Sequence, residues 1–254
     1  MHADASGDEY RRMSGRTSLA DALHQSGDVV AAEQLFREAE AIQAKRQPDL
    51  DRLYSVQGYK YCNHLLGRGA GAEVKRRAAY ALEAANQRGL SWLIHALDTL
   101  SLGRAAHVLG DRTNARHHFD DAIEGLRKAG TEHHLPRGLL ARAAFRRGTG
   151  DLGGAHQDLT EAHEIALRGG MRLHLTDICL EWGRLQLAHL ATNSTAEAEH
   201  VLQAADQRWI AAANLIKETG YHRRVGELAA LREAIDRVRT GVSAGALPTG
   251  IDVC

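Results

Sequence analysis

The sequence predicts an all-α protein of about five repeated helix pairs followed by a C-terminal capping helix. Composition is the first observation, since the 254 residues include only three prolines, are 5% aromatic, and are rich in alanine and leucine. The second is a turn-like residue pair that recurs after apolar-periodic stretches, with successive pairs 42, 41, 40 and 43 residues apart. The third is an amphipathic segment that follows the last repeat.

Each recurring residue pair is expected to end one helix and to begin the next. Gly or Asn suits the left-handed position after a helix, and Asp or Ser caps the helix that follows. The pairs are Gly27-Asp28, Gly69-Ala70, Gly110-Asp111, Gly150-Asp151 and Asn193-Ser194.

Small and apolar residues recur at fixed distances from these turn pairs. Seven residues before the glycine or asparagine are Ala20, Cys62, Gly103, Ala143 and Gln186, of which only the last is large. Five, nine and twelve residues after it are Ala32, Phe36 and Ala39 in the first repeat, Val74, Ala78 and Ala81 in the second, Ala115, Phe119 and Ala122 in the third, Ala155, Leu159 and Ala162 in the fourth, and Ala198, Leu202 and Ala205 in the fifth. This spacing predicts one helical stripe on which two helices approach closely.

The elements follow in order from these signals. Helix pairs are expected over residues 18–46, 50–87, 91–128, 136–167 and 173–219, and Pro48 and Pro136 fall where a helix ends or begins. Residues 222–240 form the capping helix, with Leu228, Leu231, Ile235 and Val238 on one stripe. The predicted domain plan is a flexible arm over 1–15, one helical domain over 16–239 and a flexible tail over 240–254.

The stretch LSLGRAAHVLGDRTNARHHFDDAI, residues 100–123, carries the repeat skeleton most completely. Its small Gly103, the Gly110-Asp111 turn, and then Ala115, Phe119 and Ala122 resemble the tetratricopeptide repeat. The resemblance implies a right-handed α-solenoid whose first helices line a concave groove. The spacing here exceeds the family's period of about 34 residues, so each unit is expected to have longer helices or loops. HEAT and armadillo units have this length too, but they do not explain the recurring turn pair.

Four segments carry a narrower resemblance: LADALHQSGDVVAAEQLFREAEAIQ, LYSVQGYKYCNHLL, HLPRGLLARAAFRR and ETGYHRR. They are similar to the tetratricopeptide region that ends certain bacterial multidomain signalling ATPases and related sensor proteins. That resemblance implies a region that senses a partner or ligand for an effector domain. The 254 residues contain no ATPase half, so the switching activity itself is not implied.

The tetratricopeptide resemblance also implies a peptide-binding groove on the first helices. Its positions in this sequence are Tyr59, Asn63, Arg104, His107, Arg137 and Arg147. Such side chains would hold an extended peptide by its backbone amides and favour an acidic side chain or a terminal carboxylate. The alternative is that they are ordinary polar residues on solvated helix faces.

Charge and cysteine content limit the partners and the compartment. Lys plus Arg equals Asp plus Glu at 32 each, so no basic excess supports nucleic-acid binding. The sequence has neither an apolar run of 18 residues nor an apolar core for a signal peptide, so no membrane contact is expected. Three cysteines without a CxxC pair indicate a reducing compartment, and a cytoplasmic location is predicted.

Other motifs are interpreted structurally. The Gly67–Lys75 stretch GRGAGAEVK is expected to be a loop and helix start, because no strand precedes it as a dinucleotide fingerprint requires. Cys62 and Cys179 are expected to be small packing residues, and the carboxylates are expected to form solvated helix faces with no acid isolated in an apolar run. No catalytic residue and no cofactor are predicted.

Histidine is a common metal ligand, but the spacing of the histidines in this sequence does not favour a metal site. The candidates are His117-His118, His133-His134, and His156 with His163. Neighbouring histidines on a helix point about 100° apart, and no HExxH or Cys/His spacing is present. No metal site is predicted, although a tertiary cluster of His107, His117 and His133 stays open.

The sequence therefore predicts a non-catalytic module that binds another protein or an extended, acidic peptide in a solenoid groove. Two alternatives stay open. The groove could bind a small ligand or signalling peptide in a regulatory sensor, or the chain could self-assemble into a homo-oligomer through exposed apolar residues such as Trp209 and Ile210. The C-terminal GALPTGIDVC is a candidate self-ligand for the groove.

Overall fold

The computed structural model describes residues 8–190 and 198–243, and within these ranges it contains eleven α-helices and no strand. The all-α prediction is therefore confirmed. The helices are α1 (Glu9–Ser26), α2 (Val29–Arg46), α3 (Ser55–Leu66), α4 (Gly71–Arg88), α5 (Trp92–Val108), α6 (Arg112–Lys128), α7 (Leu135–Gly148), α8 (Leu152–Arg168), α9 (Arg172–Leu190), α10 (Ala198–Thr219) and α11 (Val225–Ser243). Short 3₁₀ turns occupy Pro48–Leu50, Glu132–His134 and His222–Arg224.

The helices form the five predicted pairs and the predicted final helix. The main difference at a boundary is that α1 begins at Glu9, so residues 9–15 are helical where a flexible arm was predicted. The cause is a cap at Asp8, whose Oδ1 accepts hydrogen bonds from the backbone N–H groups of Tyr10 at 2.9 Å and Arg11 at 3.3 Å.

Turns between paired helices follow the chemistry that the sequence predicted. Gly27, Gly69, Gly110 and Gly150 have φ angles of +94°, +72°, +78° and +88°, which glycine adopts without strain. Asp28, Asp111 and Asp151 cap the next helix by accepting from a backbone N–H three residues ahead, at 3.0, 3.2 and 2.9 Å. The fifth predicted pair, Asn193-Ser194, lies outside the described residues.

The predicted stripe is the buried face of the repeat. Its members after the turns are all at most 4% exposed, and so are Ala20, Cys62 and Ala143 before them. A Cβ at Gly103 would lie 3.0 Å from the Phe119 ring, so the small residue there allows α5 and α6 to approach closely. Gln186, the predicted exception, is only partly buried.

The chain divides into two compact units, residues up to 132 and residues from 133 onward. The single helical domain over 16–239 stays a prediction. In the first unit, α1 packs on α2, α5 packs on α6, and the first helices α1, α3 and α5 contact one another in sequence. In the second unit, α7 packs on α8 and α9 on α10, and α9 contacts both α7 and α11. Each unit is therefore helical repeat-like by itself.

The final helix closes the core of the second unit. Leu231, Ile235 and Val238 are at most 1% exposed and pack with residues of α9 and α10, as the capping stripe predicted. Trp209 also packs here, since its Nε1 donates to the backbone oxygen of Leu228 at 2.9 Å. Trp209 is therefore partly buried and not fully exposed as expected, whereas Ile210 is 51% exposed. Self-assembly through these residues stays a prediction.

No helix in the described ranges is both long enough and apolar enough to cross a lipid bilayer. The proposed self-ligand GALPTGIDVC lies outside the part of the chain that the structure describes.

Candidate functional site

The six predicted groove residues all lie on first helices of pairs. Tyr59 and Asn63 are on α3, Arg104 and His107 are on α5, and Arg137 and Arg147 are on α7. The first four belong to the first unit and the last two to the second.

Asn63 and Arg104 are brought together across two neighbouring first helices. Arg104 Nη2 donates to Asn63 Oδ1 at 3.0 Å, and both side chains are partly buried. The structure gives Arg104 no carboxylate partner within residues 8–190 and 198–243. A partly buried guanidinium beside a neutral amide keeps its full charge and has further N–H groups to donate.

Lys60 and Asp21 extend this arrangement to α1. Lys60 Nζ lies 3.8 Å from Asp21 Oδ2, and the two side chains are 23% and 25% exposed. Lys60 is one helical turn before Asn63, so both side chains lie on the same face of α3. We call Asp21, Lys60, Asn63 and Arg104 the first-helix row.

Tyr59 and His107 occupy different environments from the row. Tyr59 is 6% exposed, so it belongs to the core and offers little surface to a peptide. His107 is exposed in the last turn of α5. Both residues lie on the first helix of a pair, as the sequence predicted. Which face of that helix is buried by its neighbours depends on the three-dimensional packing, which the sequence pattern did not reveal.

Arg147 in the second unit is neutralised by the chain itself. Its Nε donates to Glu181 Oε1 at 2.6 Å, and the two side chains are 12% and 6% exposed. Glu181 also pairs with Arg184 at 3.3 Å, and Arg184 in turn pairs with Glu227 at 2.7 Å. The guanidinium of Arg147 therefore already has the carboxylate that a peptide would have offered.

The same ion-pair network continues to the 3₁₀ turn before α11. Arg224 contacts Glu227 and also Asp177, the latter at 2.6 Å, and Tyr221 donates to Asp177 at 3.2 Å. Burial alone would raise the pKa of Glu227, but Arg224 and Arg184 outweigh it and lower this pKa to about 2. Burial and the Asp177 charge raise the pKa of Tyr221 to about 12. We call the six charged residues of this arrangement the second-unit network: Arg147, Asp177, Glu181, Arg184, Arg224 and Glu227.

Arg137 is held by a histidine of its own unit. Its Nη1 donates to His134 Nδ1 at 3.0 Å. Burial and the nearby Arg137 charge lower the pKa of His134 to about 4, so this imidazole is neutral and accepts the bond near pH 7. Arg137 and Arg147 are ten residues apart on one helix, about 15 Å along its axis, so they do not converge on one small ligand.

Asp98 is a buried acid that the sequence analysis missed. It lies on α5, is 2% exposed, and its Oδ2 has no hydrogen-bond partner among the described residues. Burial raises its pKa well above the usual value. The expectation that no acid stands alone in an apolar run was wrong, and the signal was present in the segment HALDTLSL.

The two described cysteines have the environment of packing residues. Burial and the charge of Asp98 raise the pKa of Cys62 to about 12, and burial also raises that of Cys179. Both thiols are therefore protonated near neutral pH and poorly suited to nucleophilic chemistry.

The histidines and the Gly67–Lys75 stretch were the candidates for a metal site and for a dinucleotide fingerprint. Among the described residues, no group of three or more His, Cys, Asp or Glu side chains could hold a metal ion. His117 lies 3.2 Å from Asp121, and the ring of His163 packs on that of Trp182 with 4.9 Å between centroids. Gly67 and Gly69 lie in the loop between α3 and α4, as predicted.

In comparisons with known proteins, no family model, no curated protein and no solved structure matches the chain. The tetratricopeptide assignment therefore stays a prediction from the repeat pattern.

Proposed function

We propose that this chain is a non-catalytic interaction module, a scaffold or sensor, that binds an extended peptide along the first-helix row. The preferred peptide offers an acidic side chain or a terminal carboxylate to Arg104. The observation that supports the proposal is the uncompensated charge of Arg104, held at the junction of α3 and α5 beside Asn63. A tetratricopeptide-like chain would present this row on its groove face.

The chemistry of the row suits a peptide terminus. The Arg104 guanidinium can donate two parallel hydrogen bonds to a carboxylate, which is stronger than pairing with a neutral acceptor. Asn63 accepts from Arg104 through Oδ1, so its amide N–H groups are directed elsewhere and can donate to a peptide carbonyl. The helices hold both groups in place before binding, so less entropy is lost on association.

The second unit contrasts with this arrangement. Arg147 and Arg137 are engaged by Glu181 and His134, so recruiting them would first require breaking bonds within the protein. We therefore restrict the proposed peptide contacts to the first unit.

A peptide array tests the proposal. Extended peptides with varied last residues are presented in two forms, with a free C-terminal carboxylate and with a carboxamide, and are probed with the full chain. We expect the wild-type protein to bind a subset of the free-acid peptides. Arg104→Gln should weaken that binding by about 10- to 100-fold, the value of a hydrogen bond to a charged group.

The matched control is Arg116→Gln, which removes an exposed arginine from α6 outside the row. This variant should bind like wild type, and circular dichroism should show equal thermal unfolding for all three proteins. Equal binding of acid and amide peptides, or unchanged binding by Arg104→Gln, would contradict the proposal.

A further inference from the structure

Trp182 in the second unit contacts a histidine from one neighbouring helix and an arginine from another. The guanidinium carbon of Arg208, on α10, lies 4.1 Å from the centroid of the Trp182 ring on α9. The ring centroid of His163, on α8, lies 4.9 Å from the same point, with the two rings tilted by 55°. Helix α9 packs against both α8 and α10, so the three side chains are positioned by one set of packed helices. We call Trp182, Arg208, His163 and Cys179 of α9 the Trp182 cluster.

The charge of Arg208 has no carboxylate partner within residues 8–190 and 198–243. Its guanidinium hydrogen-bonds to Cys179, but burial outweighs the arginine charge and raises the pKa of this thiol. Burial and the Arg208 charge lower the pKa of His163. Both neighbours are therefore neutral near pH 7 and leave the full positive charge of Arg208 in place.

Trp209 provides a comparison within the same unit. The guanidinium carbon of Arg232 lies 5.3 Å from the centroid of the Trp209 ring. Arg232 also pairs with Asp206 and Asp236, at 2.8 and 2.6 Å. A guanidinium over a tryptophan ring in this protein therefore still has N–H groups for carboxylates. At Arg208 the described part of the chain supplies no such acid.

Solvent reaches the Trp182 cluster at its two polar rings and forks. Arg208 and His163 are only partly buried, whereas Trp182 and Cys179 are 9% and 6% exposed. A solute can therefore contact the guanidinium and the imidazole without opening the core. A partly buried charge is screened less by water and salt than a fully exposed one, which strengthens its pairing with an anion.

The groups of the cluster favour a carboxylate over a phosphate. One guanidinium matches the two oxygens of a carboxylate with two parallel hydrogen bonds, and a neutral imidazole can add one N–H donor. The four residues include no second cation to balance a phosphate, which carries nearly two charges at pH 7. Leu167 is 62% exposed and lies one turn after His163 on the same face of α8, so an apolar group on the acid has a hydrophobic contact.

We propose that the Trp182 cluster binds a small organic acid whose carboxylate pairs with Arg208 and whose apolar group packs against Leu167. His163 donates a hydrogen bond to the carboxylate, and Trp182 holds the guanidinium in place from the other side of the contact. The site lies in the second unit and shares no residue with the first-helix row, so it does not depend on the peptide proposal.

Indole N–H signals of the full ¹⁵N-labelled chain report on this site. The chain has three tryptophans, of which Trp92 lies in the first unit and Trp209 donates its N–H to Leu228. Benzoate should shift the Trp182 signal to saturation and leave the Trp92 signal in place. Trp92→Phe and Trp209→Phe variants assign the three signals by elimination.

Three further ligands test the chemistry. Benzamide has nearly the shape of benzoate but no charge, so we expect its dissociation constant to be at least about tenfold higher. Acetate keeps the charge but has no ring to pack against Leu167, so it should bind more weakly than benzoate. Inorganic phosphate should also bind more weakly than benzoate.

Two variants test the location. Arg208→Gln should raise the dissociation constant of benzoate by about 10- to 100-fold, the value of hydrogen bonds to a charged group. The matched control is Arg237→Gln, which removes an exposed arginine from α11 of the same unit and should bind benzoate like wild type. Circular dichroism should show equal thermal unfolding for the three proteins.

Several results would overturn the proposal. They are equal affinity of benzoate and either benzamide or acetate, tighter binding of phosphate than of benzoate, or no shift of the Trp182 signal at benzoate concentrations up to its solubility. Unchanged benzoate binding by Arg208→Gln would do the same. Should that variant not fold, the ligand comparisons on the wild-type chain still decide the matter. An Arg104-dependent peptide interaction alongside these results would leave the proposed function standing.

Discussion

At the scale of single residues, Asp98 places a carboxyl group in the core of the first unit without a full set of hydrogen bonds. Its Oδ2 has no partner within the described ranges, and burial shifts its titration toward the protonated form. A buried, unsatisfied carboxyl group lowers the stability of the folded state. Asp98 is therefore a position where a neutral side chain should improve the fold.

We expect Asp98→Asn to raise the free energy of unfolding at pH 7 by about 1 to 2 kcal/mol, because the amide removes the charge at nearly constant shape. A folded pKa above the unfolded one means that wild type loses stability as pH rises from about 4 through the folded pKa. The advantage of the variant should therefore grow over that interval. Urea unfolding at several pH values measures it.

Asp121→Asn is the matched control, since that side chain is 50% exposed on α6. It should change stability little at any pH. An advantage of Asp98→Asn that is the same at pH 4 and pH 7 would show that charge burial is not its origin.

At the scale of elements, pairs of helices are held together by small residues that face large ones. Gly103 on α5 faces the ring of Phe119 on α6, which is fully buried. A Cβ at Gly103 would also lie 3.3 Å from the Cβ of His118. The packing on this stripe leaves no room for a branched side chain.

We expect Gly103→Val to lower the free energy of unfolding by about 1 to 3 kcal/mol, the usual range for overpacking a core. The same change at Gly153, near the start of α8, meets no atom within 4 Å of the added Cβ. Gly153→Val should therefore stay within about 0.5 kcal/mol of wild type, since valine forms helix slightly better than glycine. Chemical denaturation compares them, and equal losses at both glycines would contradict the close approach of α5 and α6.

Sequence reasoning was most successful where a signal is local. The turn at Gly110-Asp111 and the stripe through Phe119 depend on residues a few positions apart, so the chain itself reports them. The pairing of Arg147 with Glu181 is different, because the two residues are 34 positions apart and many other acids were available. The cluster around Trp182 was not predictable either, since it depends on how three helices fit together.

At the scale of the whole molecule, Arg104 in the first unit differs from Arg184 and Arg224 in the second unit, and also from Arg77 in its own unit, which pairs with Glu40 and Glu73. The first unit leaves the charge of Arg104 without a carboxylate in the described ranges, whereas the second unit surrounds Arg184 and Arg224 with its own acids. The charge of the second-unit network is thus balanced internally. This balance makes the second unit sensitive to acid, because protonating an acid leaves a partly buried guanidinium without its partner.

Glu227 allows that sensitivity to be measured. Its folded pKa of about 2 lies below the ordinary 4.5, so its contribution to stability is fully present above pH 4.5 and is lost as pH falls toward 2. We expect Glu227→Gln to lower the free energy of unfolding at pH 7 by about 1 kcal/mol, since the side chain is 37% exposed and water screens its ion pairs. The difference from wild type should shrink steadily between pH 4.5 and pH 3.

Tryptophan fluorescence isolates the second unit for this measurement. Trp182 and Trp209 lie in that unit, and Trp92, in the first unit, is 59% exposed and can be replaced by phenylalanine. In the Trp92→Phe background, urea unfolding then reports on the second unit alone. Glu233→Gln, at an exposed position of α11, serves as the control and should match its parent at every pH. A destabilisation by Glu227→Gln that stays constant from pH 7 to pH 3 would mean that packing, and not the pairing with Arg184 and Arg224, is what Glu227 contributes.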